Sequence, residues 1–267
     1  MEATILGGGR EVGRMGVFNE IEGKKLLIDY GIMPEEPPLY PMESPPVKNA
    51  IITHAHLDHS GMVPWLCSRY GTRIFSTDIT REISDILFRD AVKIADSKGH
   101  PYPYGLNEVE ISSDKFRRME IGDEREIDGI RVRFHSAGHI PGSAMVELVD
   151  FSILYAFDIN TVDSHLLRGA EPVKCETLFI EGTYAGVEHP PRPQLEREFL
   201  DEVEDIVNRG GKVIIPAFAV GRTQELAMVL NGAGHEFWLE GMGRKISDIL
   251  LKHGGYLRSP AELKKAM

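Results

Sequence analysis

The sequence predicts an α/β protein, and three observations lead to that class. Short apolar runs recur over the first 180 residues, and four of them end in histidine or an acidic residue. Polar residues gathered at strand tips are typical of sites built on a β-scaffold. Residues 78–95 carry apolar side chains at helical spacing. After residue 184, apolar strands and amphipathic helices alternate, which predicts a further α/β unit.

The composition fits an ordinary folded chain. Of 267 residues, 42% are hydrophobic and 27% are charged, which is enough for a sizeable core. A net charge of -11 argues against a protein that coats nucleic acid by bulk charge, although a local basic groove is compatible with it. The two cysteines, Cys67 and Cys175, are far apart, so we expect neither a disulfide framework nor a thiolate zinc site. We therefore expect a cytoplasmic protein without a secretory signal or membrane span.

The apolar runs of the first 180 residues predict a series of short strands. We place them at residues 3–6, 17–21, 25–29, 50–52, 73–76, 124–127, 130–136, 145–148, 152–157 and 177–180. A helix is predicted from residue 61, and a loop over residues 97–107. The glycine-rich turn at 7–13 is followed by a strand instead of a helix, which argues against a dinucleotide-binding fingerprint.

The strand at 50–52 leads into the pattern H-x-H-x-D-H, the most informative stretch of the chain. In an extended segment alternate side chains share one side, so His54 and His56 can converge on one point. Asp58 and His59 then enter a predicted helix start and can face a second point. Nitrogen and carboxylate ligands of this kind suit zinc, and two neighbouring groups suit two ions. A polar loop with histidines by chance is the alternative, but three of the ten histidines in six residues disfavour it.

Other candidate residues also follow predicted strands. His139 lies in a glycine-containing loop and is a candidate third nitrogen ligand, whereas we expect His135 to be structural. Asp158 ends one strand, where a single carboxylate could bridge two metals, and Glu181 ends the next in the same way. Asp29 is placed to support a nearby site, although a turn-capping role explains it equally well.

The chain beyond residue 184 has a different organisation. We predict strands at 212–216 and 236–239, the first of them in a buried, parallel sheet, with helices at 194–208, from 221, at 242–253 and at 260–266. Arg222 and Thr223 open the second of these helices, where free backbone N–H groups could hold a phosphate. Without further context, an ordinary capped helix start explains the same residues slightly better.

Taken together, these residues resemble the metallo-β-lactamase fold, and specifically its β-CASP nuclease branch. That branch includes the polyadenylation-factor endonuclease, its archaeal relatives and RNase J. The matching stretches are residues 8–13, 27–29, 53–61, 137–139, 158, 180–184 and 215–226. The resemblance implies an αββα sandwich over residues 1–183 and the beginning of an inserted β-CASP α/β domain over 184–267.

The resemblance also implies roles for the candidate residues. By position, the first zinc is bound by His54, His56 and His139, the second by Asp58 and His59, and Asp158 bridges the two. Asp29 supports the ligands from behind, and Glu181 matches the first acid of the β-CASP branch. The implied reaction is hydrolysis of single-stranded RNA by a hydroxide that bridges two zinc ions. Asp58 positions that hydroxide, Glu181 assists leaving-group protonation, and Arg222 and Thr223 hold a substrate phosphate.

The chain departs from the family pattern in two places. Phe157 precedes the bridging aspartate where the family usually has glycine. Family members carry two further histidine motifs after the insertion, so we expect a chain that is truncated within it. The alternatives are a metallo-β-lactamase-fold hydrolase of a small ester or thioester, and a non-catalytic or truncated RNA-processing subunit. The choice between RNA and DNA and the presence of a homodimer are left open.

Overall fold

A computed structural model describes residues 1–267, which fall into two compact units. The first unit comprises residues 1–161 and 169–181, and the second comprises residues 162–168 and 182–267. Among the helices of the chain, none combines the length and the apolar composition that crossing a bilayer requires.

The first unit contains two β-sheets. The first sheet has the order β1-β2-β3-β4-β5-β6, and the second has the order β11-β10-β9-β8-β7. The strands of the first sheet are β1 (Glu2–Gly7), β2 (Gly16–Ile21), β3 (Lys24–Tyr30), β4 (Asn49–Ile51), β5 (Arg73–Ser76) and β6 (Phe116–Arg118). Those of the second are β7 (Glu124–Ile127), β8 (Ile130–Ser136), β9 (Ala144–Leu148), β10 (Ile153–Ala156) and β11 (Thr177–Ile180).

Both sheets begin as antiparallel hairpins and end in parallel pairs. Strands β1, β2 and β3 are antiparallel, whereas β3 to β6 run parallel to one another. In the second sheet β7 to β10 are antiparallel, and β11 is added parallel to β10. Parallel neighbours bring their carboxyl ends to one edge, so the residues that follow β3, β4 and β5 meet there.

Alternation along the strands divides the apolar side chains between two cores. On β3, Leu27 belongs to one core and Ile28 to the other, as the period of two requires. The core that contains Ile28 also holds Val132, Phe134 and Tyr155 of the second sheet, so the two sheets pack face to face. The predicted α/β class and the two-sheet sandwich are therefore confirmed.

The helices of the first unit supply the other core. They are α1 (Leu57–Ser60), α2 (Val63–Tyr70), α3 (Asp78–Lys98) and α4 (Leu106–Ser113). Leu66 of α2, Phe88 of α3 and Val109 of α4 are buried together with Leu27. Thr77 caps α3 by accepting a hydrogen bond from the Thr80 amide, and Gly99 ends it in the left-handed conformation. Helix α4 and strand β6 were not predicted from the sequence.

The second unit is helical. Its elements are α5 (Arg192–Asn208), α6 (Arg222–Gly232), α7 (Met242–Lys252) and α8 (Pro260–Ala266). The helices were predicted, but the strands expected at 212–216 and 236–239 are wrong. Those segments have no strand partner, and Ile214 and Trp238 are 91% and 96% exposed. An apolar run becomes a strand only when a neighbouring strand satisfies its backbone groups, and in this chain none does.

Candidate metal centre

The candidate ligands lie at the tips of strands from both sheets. The H-x-H-x-D-H stretch follows β4, His139 follows β8, and Asp158 follows β10. A direct backbone bond joins two of these loops, because the Ala144 amide donates to the Thr53 carbonyl at 2.9 Å. The packing of one sheet on the other therefore brings together residues that are about 100 positions apart in the chain.

Three imidazoles and one carboxylate form a first group. The ligand atoms of His54, His56, His139 and Asp158 all lie within 4.8 Å of one another. The Nδ1 atom of His56 is 3.2 Å from Nε2 of His54 and 3.2 Å from Nε2 of His139. Zinc–nitrogen bonds of about 2.0–2.1 Å place tetrahedral ligand atoms about 3.3 Å apart, so the observed spacing fits a bound zinc ion.

Asp58, His59 and Asp158 form a second group, which shares the Asp158 carboxylate with the first. Oδ1 of Asp158 lies 3.1 Å from Nε2 of His59, whereas Oδ2 faces Nε2 of His139 at 3.3 Å. Nε2 of His59 is 3.8 Å from the Asp58 carboxylate. Each carboxylate oxygen of Asp158 thus faces one group, which is the geometry that a bridging ligand needs.

Asp29 lies behind both groups and is fully buried. Its Oδ1 accepts a hydrogen bond from the Thr53 amide at 2.7 Å, and its Oδ2 faces the Thr53 hydroxyl and Nδ1 of His59, both at 2.7 Å. Its φ of +55° lies in the left-handed region, which aspartate tolerates better than most residues. These contacts place the carboxylate against Thr53 and His59, and its role in supporting the ligands stays a prediction.

The loop that carries His139 is held by Ser143. The backbone amides of His139 and Ile140 both donate to the Ser143 hydroxyl oxygen at 3.2 Å. The Ala137 amide donates to the Ser143 carbonyl at 3.1 Å. These bonds fix the turn without using the imidazole, which stays available as a ligand.

Backbone hydrogen bonds join the segment after His56 to the residue before β2 and to the residues that follow β3. The Met15 amide donates to the Asp58 carbonyl at 2.7 Å, and the Ile32 amide donates to the Leu57 carbonyl at 2.8 Å. The approach is so close that a Cβ on Gly31 would overlap the Asp58 carbonyl. This close approach therefore requires glycine at position 31, and no local sequence pattern predicts that requirement.

Burial and mutual proximity keep two of the imidazoles neutral. Burial lowers the pKa of His54 well below its usual range, and the neighbouring rings act in the same direction. Burial likewise lowers the pKa of His139 to about 4, with His56 as the next contributor. Both rings are neutral at neutral pH, which is the form that binds metal.

His59 behaves in the opposite way. Its burial lowers the pKa, but the Asp29 and Asp158 carboxylates outweigh that effect and hold the pKa well above 6.5. Burial raises the pKa of Asp158, yet the hydrogen bond with His59 and the charges of His59, His139 and His56 together outweigh it and leave the net shift downward. In the absence of metal, His59 and its two carboxylates therefore form a buried charged cluster.

The structure also places Phe157, Asp158 and Glu181, which the sequence analysis singled out at the ends of the last two strands. Phe157, which replaces the usual family glycine, is 5% exposed and packs in the inter-sheet core near the Tyr155 ring. Asp158 itself takes the positive φ, +24°, at the end of the strand. Glu181 follows β11 at the same sheet edge, and its amide lies 3.4 Å from the Ala156 carbonyl. It belongs to neither ligand group.

A third cluster of possible ligands lies in the second unit and comprises His165, Glu196 and Glu225. The guanidinium of Arg192 already pairs with both glutamates, and the His165 amide donates to Glu225 at 2.7 Å. These carboxylates hold the 162–168 segment against α5 and α6, so the cluster is structural.

The predicted phosphate-binding residues open α6. Arg222 is exposed, whereas Thr223 is buried and its hydroxyl donates to the Phe218 carbonyl at 2.8 Å. Gln224 accepts a hydrogen bond from the Gly221 amide at 2.8 Å and donates to the Ser247 hydroxyl at 3.1 Å. The arrangement is that of a well-capped helix, and phosphate binding by Arg222 and Thr223 stays a prediction.

Comparison with known proteins identifies the family. Residues 14–217 match the model of the metallo-beta-lactamase superfamily. The chain is 35% identical to RNase aCSPSF2 of Saccharolobus solfataricus, covering 98% of this chain and 55% of that protein. It is 31% identical to Probable RNase MJ4 of Methanocaldococcus jannaschii, covering 100% of this chain and 65% of that protein. It is 33% identical to cleavage and polyadenylation specificity factor subunit 3 of Dictyostelium discoideum, covering 90% of this chain and 32% of that protein.

The chain spans about a third to two thirds of the length of these relatives. The superfamily match covers most of the chain, and the similarity to named RNases extends from end to end of it. These matches agree with the two-sheet sandwich and with the clustered histidines and aspartates at its edge. The chain belongs to the metallo-β-lactamase superfamily and, within it, to the β-CASP nuclease family.

Proposed function

We propose that the chain carries the metal centre of a zinc-dependent phosphodiesterase that cleaves single-stranded RNA. The observation that supports this most strongly is the pair of ligand groups joined by Asp158, at a spacing that fits zinc. The relatives named as RNases point to RNA as the substrate. In this proposal residues 1–183 form the metallo-β-lactamase domain and residues 184–267 part of a β-CASP domain. A cytoplasmic location and a homodimer stay predictions.

The ligand set assigns one ion to each group. His54, His56 and His139 would hold the first zinc, Asp58 and His59 the second, and Asp158 both. When bound, the two ions supply Lewis acidity, which activates water and offsets the negative charge that develops on the phosphate.

Asp58 would have a second role besides holding zinc, and Glu181 would act in proton transfer. Asp58 is partly exposed beside His59, where its carboxylate can accept a hydrogen bond from the attacking water and aim it at phosphorus. Glu181 stands at the tip of the strand next to that of Asp158, where it would help deliver a proton to the leaving oxygen. Exposed Arg222 would contact a substrate phosphate, with Thr223 fixing the helix start.

The test measures metal and cleavage on the same 267-residue chain. Zinc content is determined by plasma mass spectrometry, and cleavage is measured with an end-labelled single-stranded RNA, its DNA counterpart, and a small ester and thioester. We expect two zinc ions per chain and cleavage of the RNA. The variant His56→Gln should lose both a metal and cleavage.

His135→Gln is the matched control, because His135 pairs with Glu147 at 2.7 Å on the second sheet, outside both ligand groups. It should keep the metal and the activity. Hydrolysis of the ester or thioester without RNA cleavage would favour the small-substrate hydrolase. Two zinc ions with no hydrolysis would favour a non-catalytic subunit, and a chain without bound metal would refute the proposal.

A further inference from the structure

Thr53 immediately precedes the ligand His54 and is 1% exposed. Its amide and its hydroxyl both lie 2.7 Å from Asp29, on Oδ1 and Oδ2 respectively. The same hydroxyl oxygen is 3.1 Å from Nδ1 of His54. The side chain thus stands between the buried carboxylate and a ligand of the first group.

The number of protons that each group carries determines which atom donates in these hydrogen bonds. A carboxylate only accepts hydrogen bonds, so the single proton of the Thr53 hydroxyl points at Asp29. The hydroxyl oxygen can then only accept from His54, whose Nδ1 must carry a proton. Nε2 of His54 is left with its lone pair, and this is the atom that faces His56 and Asp158.

The same carboxylate fixes the other group directly. Nδ1 of His59 lies 2.7 Å from Oδ2 of Asp29 and must donate to it, so Nε2 is the atom of His59 that faces Asp158 and the second group. One oxygen of Asp29 therefore reaches a histidine of each group, once through a hydroxyl and once without an intermediary.

We propose that Thr53 is a positioning residue that links the Asp29 carboxylate to His54 through its hydroxyl. One buried carboxylate then determines, in both ligand groups, which histidine nitrogen faces the metal. The inference rests on the proposed metal centre. Removal of the hydroxyl should loosen the first group while leaving the direct contact between Asp29 and His59 in place.

The test compares Thr53→Val, which has the same shape without the hydroxyl, with Thr53→Ser, which retains it. Zinc retention is measured during titration with a competing chelator, and the absorption bands of the cobalt-substituted chain report the ligand geometry. Thr53→Val should weaken one of the two bound ions by about 10- to 100-fold and alter the cobalt spectrum. Thr53→Ser should restore both.

Thr72→Val is the matched control for loss of a buried threonine hydroxyl. The Thr72 hydroxyl donates to the Val47 carbonyl at 2.7 Å, and the side chain contacts none of the ligands. The Thr72→Val variant should leave zinc affinity and the cobalt spectrum unchanged even if the chain becomes less stable. If Thr53→Val matches the wild type in both readouts while the wild type binds two ions, the positioning role is overturned and the metal centre stands. A wild type that binds no metal would overturn both.

Discussion

Replacement of Gly31 by alanine should disrupt the site without altering a single ligand. The new Cβ would lie 2.5 Å from the His59 amide nitrogen and closer still to the Asp58 carbonyl. Ordinary contact between heavy atoms requires about 3.5 Å, so the two segments must separate by about 1 Å or more. Metal ligands tolerate displacements of only about 0.2 Å, so we expect the second metal to be lost.

The cost in stability follows from the bonds between the separating segments. Three backbone hydrogen bonds join residues 57–62 to the residues around Gly31. They run from Met15 to Asp58, from Ile32 to Leu57 and from Met62 to Tyr30, at 2.7–2.8 Å. At about 1 kcal/mol each, their loss lowers the free energy of unfolding by about 3 kcal/mol.

Urea unfolding of the metal-free chain measures this loss, and zinc content measures the effect on the ligands. Gly105→Ala is the control, since Gly105 has a negative φ and its added Cβ would meet nothing closer than 3.5 Å. A Gly31→Ala chain that unfolds within about 0.5 kcal/mol of the wild type and binds two zinc ions would refute the reasoning.

Three further predictions concern charge and metal. Asp29→Asn replaces one acceptor oxygen by a donor, so it should misorient His59 and weaken both metals; unchanged zinc content would contradict this. In the metal-free chain, the lowered pKa of His139 should make the free energy of unfolding rise from about pH 4 to 6.5, and the lowered pKa of His54 should act in the same direction; the raised pKa of His59 should make the free energy fall above pH 6.5. In urea titrations at a series of pH values, His139→Gln should reduce this increase in the free energy of unfolding by about 3 kcal/mol. If the free energies of the variant and the wild type change with pH in parallel, the lowered pKa of His139 is excluded. Chelation should lower Tm and added zinc restore it, whereas superimposable melting curves would argue against a bound ion.

The parts of the fold that local pattern determines could be predicted from the sequence. The alternation at 17–21 and 25–29 predicts a hairpin, and β2 and β3 form it with Ile21 opposite Lys24. The spacing of His54, His56, Asp58 and His59 predicts two ligand groups, because strand and helix geometry over six residues leaves little freedom.

Features that depend on distant partners could not be predicted. The apolar runs at 212–216 and 236–239 have strand-like composition, but a strand also needs a neighbour, which no local pattern supplies. Thr53 and Ser143 are ordinary polar residues in the sequence, and only the tertiary fold brings their hydroxyls to Asp29 and to the His139 amide. The position of Thr53 directly before the ligand motif is the one signal that could have drawn attention to it.

The ligands of this centre are held by bonds that do not use their metal-facing atoms. The His139 turn is fixed through the Ser143 hydroxyl, the Thr53 carbonyl accepts from Ala144, and the Ala137 carbonyl accepts from the Asn160 amide at 3.0 Å. Because these supports are independent of metal, the ligand atoms are brought together by the two sheets and stay available for binding. A site assembled in this way gains affinity, since less ordering remains to be done when the ion binds. It follows that substitutions in the supporting residues should reduce metal affinity more than their modest effect on stability suggests.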